Sequence, residues 1–389
     1  MLYLLIIVVV SCLLGLLPGR IAVRLDPEAR MNTTQLIRYQ GYLCEEYTIS
    51  TSDGYLLQIQ RIPRGRLSNT TGGRSPVLLW HGLLSCSACW VENLANNSLG
   101  FILADAGFDV WLGNSRGNSY GLKHVTLNTS QPEFWAFSFD EMALLDLPDT
   151  VRFILGMTGA SKLQYVGHSQ GTEIAFAALS RDPDLNDLIG MFAALGPAAY
   201  LAHVESPVKL LADLSEDEVH KWFGYNDFLP RSDLLPIICE DSMASTCEDV
   251  LFLLCGIDSG NTNKSRIPVY IGQHPAGTSV QNMIHYVQAV KTGRFQMFDF
   301  GTEGNIKKYN QTMPPAYNVS QIRTPVALYG GGNDWLTTPT DVARLRSELP
   351  GLPPLLQIPN YNHLDYIWAM DAPKLLYPDV IKRISDGDK

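Results

Sequence analysis

The sequence predicts an α/β fold: a mostly parallel central sheet with helices on both faces, and a helical segment inserted before the last core strands. Three observations carry this. Short, wholly apolar runs alternate with helix-compatible runs from 76 to 195, the pattern of β-α-β units whose strands are buried on both faces. A strand–turn–helix passage lies among them at 163–179 (L-Q-Y-V-G-H-S-Q-G-T-E-I-A-F-A-A-L). Strand-like runs return at 325–329 and 355–358, after a long stretch of mostly helical periodicity. A chain of 389 residues, 46% of them hydrophobic, can bury one large core or a core with an insertion.

Taken in order, residues 2–17 are almost wholly apolar and are broken by Pro18 and Gly19. At about 16 residues the run is short for a membrane span and suits a signal peptide over 1–19; an anchor or a buried helix are the alternatives. Within the N-terminal segment 20–75, residues 47–62 alternate in polarity around Asp53-Gly54 and read as a hairpin. The run 76–80 (P-V-L-L-W) is a buried strand, 101–106 a helix and 108–112 a second strand. Residues 138–157 read as one long helix, with Ser138 and Glu141 at capping-box spacing and Gly159 able to end it. The strands 163–166 and 189–195 follow, the latter closed by Gly196-Pro197, so 76–199 forms the first part of the core. Residues 200–320 form the inserted cap, with apolar stretches at 228–238 and 250–255, and 321–389 complete the core.

Composition narrows the function classes. A net charge of −10 and the absence of a long basic run argue against a nucleic-acid partner and against electrostatic docking on anionic lipid. With 17% charged residues the chain is not of the disordered class. Asn32, Asn69, Asn96, Asn128, Asn263, Asn310 and Asn318 begin N-x-S/T sequons, in keeping with secretory passage. Cys12 leaves with the signal peptide, and Cys239, Cys247 and Cys255 lie close enough for a local disulfide. Cys86 and Cys89 form a C-x-x-C without a second pair or a suitable histidine, so no metal site is expected.

The turn at 167–171 (G-H-S-Q-G) matches G-x-S-x-G in the context that motif needs. A sharp turn here holds the Ser169 hydroxyl above the sheet, and its crowded backbone explains Gly167 and Gly171. Serine is a poor nucleophile until a neutral imidazole takes its proton. Of eight histidines, His168 adjoins Ser169 but points away, His81 braces a neighbouring loop, and His124, His203, His220, His274 and His285 lie in loops or the insertion. His363 follows the final strand and is the candidate base. Asp334 follows the strand 325–329 and is the candidate acid, whereas Asp365, two residues from the histidine, better suits a local turn bond. An oxyanion site needs two amides: Gln170, after the nucleophile, and Leu83 in His81-Gly82-Leu83, where Gly82 permits close approach.

With these residues in place the chain resembles the acid lipases, the gastric and lysosomal enzymes and their insect relatives. The likeness runs through 45–47 with 53–55, 81–84 with Trp90, 109–117 (D-V-W-L-G-N-S-R-G), 133–149, 165–172, 274–283 (H-P-A-G-T-S-V-Q-N-M) and 361–373. The resemblance implies an α/β-hydrolase fold with a cap, and hydrolysis of triacylglycerol or cholesteryl esters at a lipid–water interface without metal or organic cofactor. It carries nucleophile, acid and base onto Ser169, Asp334 and His363, and the oxyanion donors onto Leu83 and Gln170. It also implies a Cys239–Cys247 disulfide with Cys255 left as a free thiol, while Cys44, Cys86 and Cys89 lie outside its pattern. The expected protein is a secreted or lysosomal monomer with no transmembrane span once processed. A general carboxylesterase and a non-catalytic lipid binder on the same scaffold are the alternatives; an intact Ser169, Asp334 and His363 disfavours the second.

Overall fold

The computed structural model describes residues 26–68, 73–233, 235–238, 244–256 and 260–387. The signal-peptide stretch 1–19, Asn69 and Cys239 lie outside them. The chain is carried by a nine-stranded sheet. Its strands are β1 (Glu45–Ser50), β2 (Tyr55–Ile62), β3 (Pro76–Trp80), β4 (Asp109–Leu112), β5 (Lys123–His124), β6 (Leu163–His168), β7 (Ile189–Leu195), β10 (Val326–Gly331) and β11 (Leu355–Ile358), while β8 (Asp227–Phe228) and β9 (Thr278–Ser279) form a separate small ladder. The order is β1-β2-β4-β3-β6-β7-β10-β11, with β5 on β2. The hairpin β1–β2 and its junction with β4 are antiparallel; from β4 to β11 every pairing is parallel.

This order places the site. After β3 the chain steps outward to β4, then back across β3 to β6 and on to β7 and β10. The direction of winding reverses between β3 and β6, so the loops that leave their carboxyl ends diverge and open a crevice there. Trp80 at the end of β3 pairs with Gly167 near the end of β6.

Strands β3, β4, β6, β7 and β10 are wholly buried because each face meets its own helical layer. Along β6 and β7, Val166, Ala193 and Leu195 join one cluster with Leu103 of α1 (Leu99–Asp105). Tyr165, Phe192 and Ala194 join the opposite cluster with Val151 and Ile154 of α2 (Leu147–Thr158) and Phe176 of α3 (Gln170–Arg181). Apolar residues therefore succeed one another along these strands, and the alternation seen in the hairpin disappears.

The long helix expected over 138–157 carries an irregularity. Ser138 and Glu141 form the capping box and Gly159 ends the helix in the left-handed conformation (φ 69°), but Met142–Asp146 is a π-turn. Pro148 has no N–H to return to the Leu144 carbonyl, and a widened turn absorbs the break. The turn presents Asp146 to Arg116. That guanidinium is 1% exposed, lies 2.6 Å from Asp146 and 2.6 Å from Asp53, and stacks 4.0 Å over the Tyr55 ring. Arg116→Met would leave Asp146 buried without its cation. It is expected to cost about 3–5 kcal/mol in denaturant unfolding, and a loss under about 1 kcal/mol would disprove this role.

Between β7 and β10 the chain is mostly helical. It includes Glu216–Phe223, α4 (Ala244–Cys255), Ile267–Gln273, α5 (Val280–Thr292) and Gly301–Tyr309. Then α6 (Pro339–Glu348) lies between β10 and β11. No helix of the described residues is long and apolar enough to cross a membrane.

Candidate active site

Ser169 sits between β6 and α3 with φ 52° and ψ −120°, a conformation that L-residues avoid. Neighbouring backbone holds it there: its amide donates to the Leu195 carbonyl (3.0 Å), and the Thr172 hydroxyl donates to its carbonyl (2.7 Å). Both elbow glycines are forced by contact. A Cβ on Gly167 would lie 2.8 Å from the Gly171 carbonyl, and one on Gly171 would lie 2.3 Å from the Trp80 carbonyl oxygen.

The structure brings Ser169, His363 and Asp334 into one hydrogen-bonded chain. Nε2 of His363 lies 2.7 Å from Ser169 Oγ, and Nδ1 lies 2.9 and 3.0 Å from the two Asp334 oxygens. An ionised carboxylate can only accept, so Nδ1 carries the proton and Nε2 is left to accept from the serine hydroxyl. Burial pushes the Asp334 carboxyl up; the facing imidazole and the Thr337 hydroxyl and amide outweigh that and hold it below the usual carboxylate range. Oδ1 accepts the amides of Leu336 (3.0 Å) and Thr337 (2.8 Å), while Oδ2 accepts the hydroxyls of Thr337 (2.6 Å) and Tyr366 (3.2 Å). Asp365 instead accepts the Asn362 amide at 2.7 Å, closing the turn that carries His363.

The loop after β3 lies against the same serine. A Cβ on Gly82 would stand 3.0 Å from Ser169 Cβ and would crowd the nucleophile, so glycine lets this backbone approach without displacing it. Nδ1 of His81 donates to the Gly82 carbonyl (2.8 Å), and Nε2 accepts from the Ser115 amide (3.1 Å) and the Asn118 side chain (3.0 Å). Burial pushes His81 down to about 4, so this brace stays neutral. His168 points away from the nucleophile; Nε2 donates to the His363 carbonyl at 2.9 Å, and burial pushes its pKa down to about 3. Leu83 follows Gly82 in this loop, and Gln170 is the first residue of α3.

Several supports escaped sequence reasoning. Gly196 (φ 57°) lets β7 end against the imidazole, since a Cβ there would come within 3.3 Å of His363 Cε1. Gly256 (φ 119°) follows α4 and wedges between the acid and base loops, where a Cβ would lie 2.0 Å from the Asn333 carbonyl oxygen. The preceding Cys255 carbonyl accepts the His363 amide at 3.1 Å. A glycine ending an apolar helix was visible in the sequence, but its partners, about 80 and 100 residues away, were not. Cys247 is disulfide-bonded; Cys44, Cys86, Cys89 and Cys255 are free thiols.

A parallel sheet wound in this order, with a serine on a strained strand-to-helix turn at its switch point, defines an α/β-hydrolase. The family described as "alpha/beta hydrolase fold" matches residues 75–369, and the "partial alpha/beta-hydrolase lipase region" matches 33–94. Human lysosomal acid lipase/cholesteryl ester hydrolase is 49% identical over 92% of this chain and 91% of its own length. Human gastric triacylglycerol lipase is 48% identical over 94% and 93%. The chain belongs to the acid lipase family, and by family it is a carboxylic ester hydrolase. Among solved structures, a soluble variant of monoglyceride lipase from Saccharomyces cerevisiae superposes with a TM-score of 0.54 at 14% identity, covering 96% of this chain and 99% of that one. A thermophilic esterase from Thermogutta terrifontis superposes with 0.53 at 15% identity, covering 89% and 100%. At that identity these two speak for the fold alone.

Proposed function

We propose that the protein is a lipase that cleaves the ester bonds of neutral lipids, triacylglycerols or cholesteryl esters, with Ser169 as nucleophile, His363 as general base and acid, and Asp334 as the triad acid. The observation that carries this reading is the 2.7 Å contact of Ser169 Oγ with an imidazole whose other nitrogen faces a buried carboxylate. Ser169 Oγ attacks the ester carbonyl as its proton passes to His363 Nε2. Asp334 stabilises the imidazolium, and the amides of Leu83 and Gln170 hold the oxyanion. Collapse expels the alcohol, which takes the proton from His363. Water, deprotonated by the same nitrogen, then attacks the acyl carbon, and the fatty acid leaves as His363 returns that proton to Ser169 Oγ. No metal or organic cofactor enters any step. The names of the two human relatives support this substrate class.

Residues 200–320 serve in this reading as a cap over the site. Trp222 (51% exposed), Tyr225 (64%) and Leu229 (41%) give that segment an apolar rim suited to a lipid surface. The protein acts as a monomer in a secreted or lysosomal compartment, in keeping with the apolar N-terminal run and with Asn32, Asn96, Asn128, Asn310 and Asn318 standing exposed and Asn263 half-buried. Treatment of the purified glycoprotein with a serine-directed phosphonate is expected to place one adduct on Ser169 and to abolish fatty-acid release from emulsified triacylglycerol in proportion. Full inhibition with the adduct elsewhere, or activity persisting on labelled protein, removes Ser169 from the mechanism.

A further inference from the structure

Glu173 is a carboxyl for which the triad has no use. It lies on α3, four residues after Ser169 and three after Gln170, and is fully buried. Its neighbours along the helix, Ile174 to Ala178, are apolar, and an apolar side chain would fill the space without losing hydration. Oε2 of Glu173 accepts the hydroxyl of Tyr286 on α5. Oε1 has no hydrogen-bond partner among the described residues. The Gln170 side chain is buried beside the same tyrosine hydroxyl.

Among the described residues no cation compensates this carboxyl. The ionisable groups that act on it are Tyr286 and Asp140. Asp140 is itself held by the Phe298 amide (2.8 Å) and the Tyr317 hydroxyl. His285, beside Tyr286, is taken by the Ser138 hydroxyl and the Gln296 carbonyl, each at 3.0 Å. Asp146, on the π-turn against α3, is paired with Arg116. Burial without a cation pushes Glu173 up to about 8, so it is neutral in acid and near neutrality. Tyr286 also packs on the cluster of Leu201, Val204 and Ala289 that receives Leu336, whose amide binds Asp334.

We propose that Glu173 is a positioning residue: its hydrogen bond to Tyr286 locks α5 onto the nucleophile helix and keeps the Gln170 end of that helix, with its oxyanion amide, in its working place. The inference rests on the reading of Ser169 as nucleophile. A pH dependence follows from it. Burial keeps the carboxyl neutral in acid; ionisation would strengthen its bond to Tyr286 but leave a charge without a cation buried between the helices, which favours opening of that contact. The stability it lends declines above the ordinary glutamate range and is lost as pH rises through about 8.

The test compares full-chain wild type, Ser169→Ala, Glu173→Gln, Glu173→Leu and Tyr286→Phe, measuring kcat and KM on a p-nitrophenyl ester from pH 5 to 9, with thermal unfolding as a check on folding. Activity retained by Ser169→Ala would sink the nucleophile reading whatever Glu173 does. With that control inactive, Tyr286→Phe and Glu173→Leu are expected to lower kcat about 10-fold with KM nearly unchanged, since a small displacement of catalytic groups acts on the transition state. Glu173→Gln, neutral and of the same shape, is expected to keep wild-type kcat at pH 6 and to lose the decline above pH 7. Wild-type kcat and pH profile in Tyr286→Phe would overturn the proposal, as would an unchanged alkaline decline in Glu173→Gln. Should Glu173→Leu fail to fold, the other two variants decide the matter.

Discussion

Ser169→Ala is expected to lower kcat by about 10⁴-fold or more while leaving the fold and the unfolding midpoint close to wild type. The effect on chemistry is large because Oγ supplies the bond to the acyl group, and without it no acyl-enzyme forms. The effect on folding is small because the unfavourable φ of 52° is set by the backbone bonds to Leu195 and Thr172, which alanine keeps. What alanine removes is the hydroxyl's hydrogen bond to His363 Nε2. Steady-state kinetics on a soluble ester, with a melting curve on the same preparation, checks both parts. An active Ser169→Ala variant would transfer the nucleophile elsewhere.

Asp334→Asn is expected to lower kcat by about 10⁴-fold with almost no change in shape. The surrounding donors decide how the amide sits. Oδ1 accepts two backbone amides, from Leu336 and Thr337, so the asparagine oxygen takes that side. Its nitrogen then replaces Oδ2, facing His363 Nδ1. An amide N–H there requires Nδ1 to accept, the proton moves to Nε2, and Nε2 can no longer take the proton of Ser169. The check is kcat together with phosphonate labelling of Ser169, which should slow in step. Labelling at the wild-type rate would show that Asp334 does not set the tautomer.

Much of the fold was legible because the core strands carry a strong local signal. The runs 76–80 and 189–195 are read to the residue, since parallel strands buried on both faces leave no polar position to blur their ends; 355–358, at the sheet edge with Gln357 exposed, is bounded instead by the prolines on either side. The helix after Ser169 begins at Gln170, earlier than its apolar periodicity. Its first turn contains no apolar periodicity, and the glycine that weakens helix propensity is there because Trp80 leaves no room for a Cβ. Pro148 marks a break in the helix before it, but the form of that break, a π-turn at Met142–Asp146 that carries Asp146 to Arg116, was illegible because its residues keep helical periodicity and Arg116 is 30 residues away.

The candidate site divides the same way. Ser169, Asp334 and His363 could be picked from the sequence because each stands just past a recognisable strand, and the ends of parallel strands converge on one side of the sheet. Gly196, Gly256 and Glu173 could not. A glycine is informative only once the atom that would strike its Cβ is known, and a glutamate reads as a surface residue until its surroundings prove apolar. By itself the sequence determined the strand pattern, the family and the chemical groups available, because these depend on local composition and order. Only the tertiary structure decided which backbone presses on which glycine, which nitrogen of His363 faces the serine, and that Glu173 is buried where α3 meets Tyr286 of α5. Distance and dielectric are properties of the packed chain, and no stretch of sequence carries them alone.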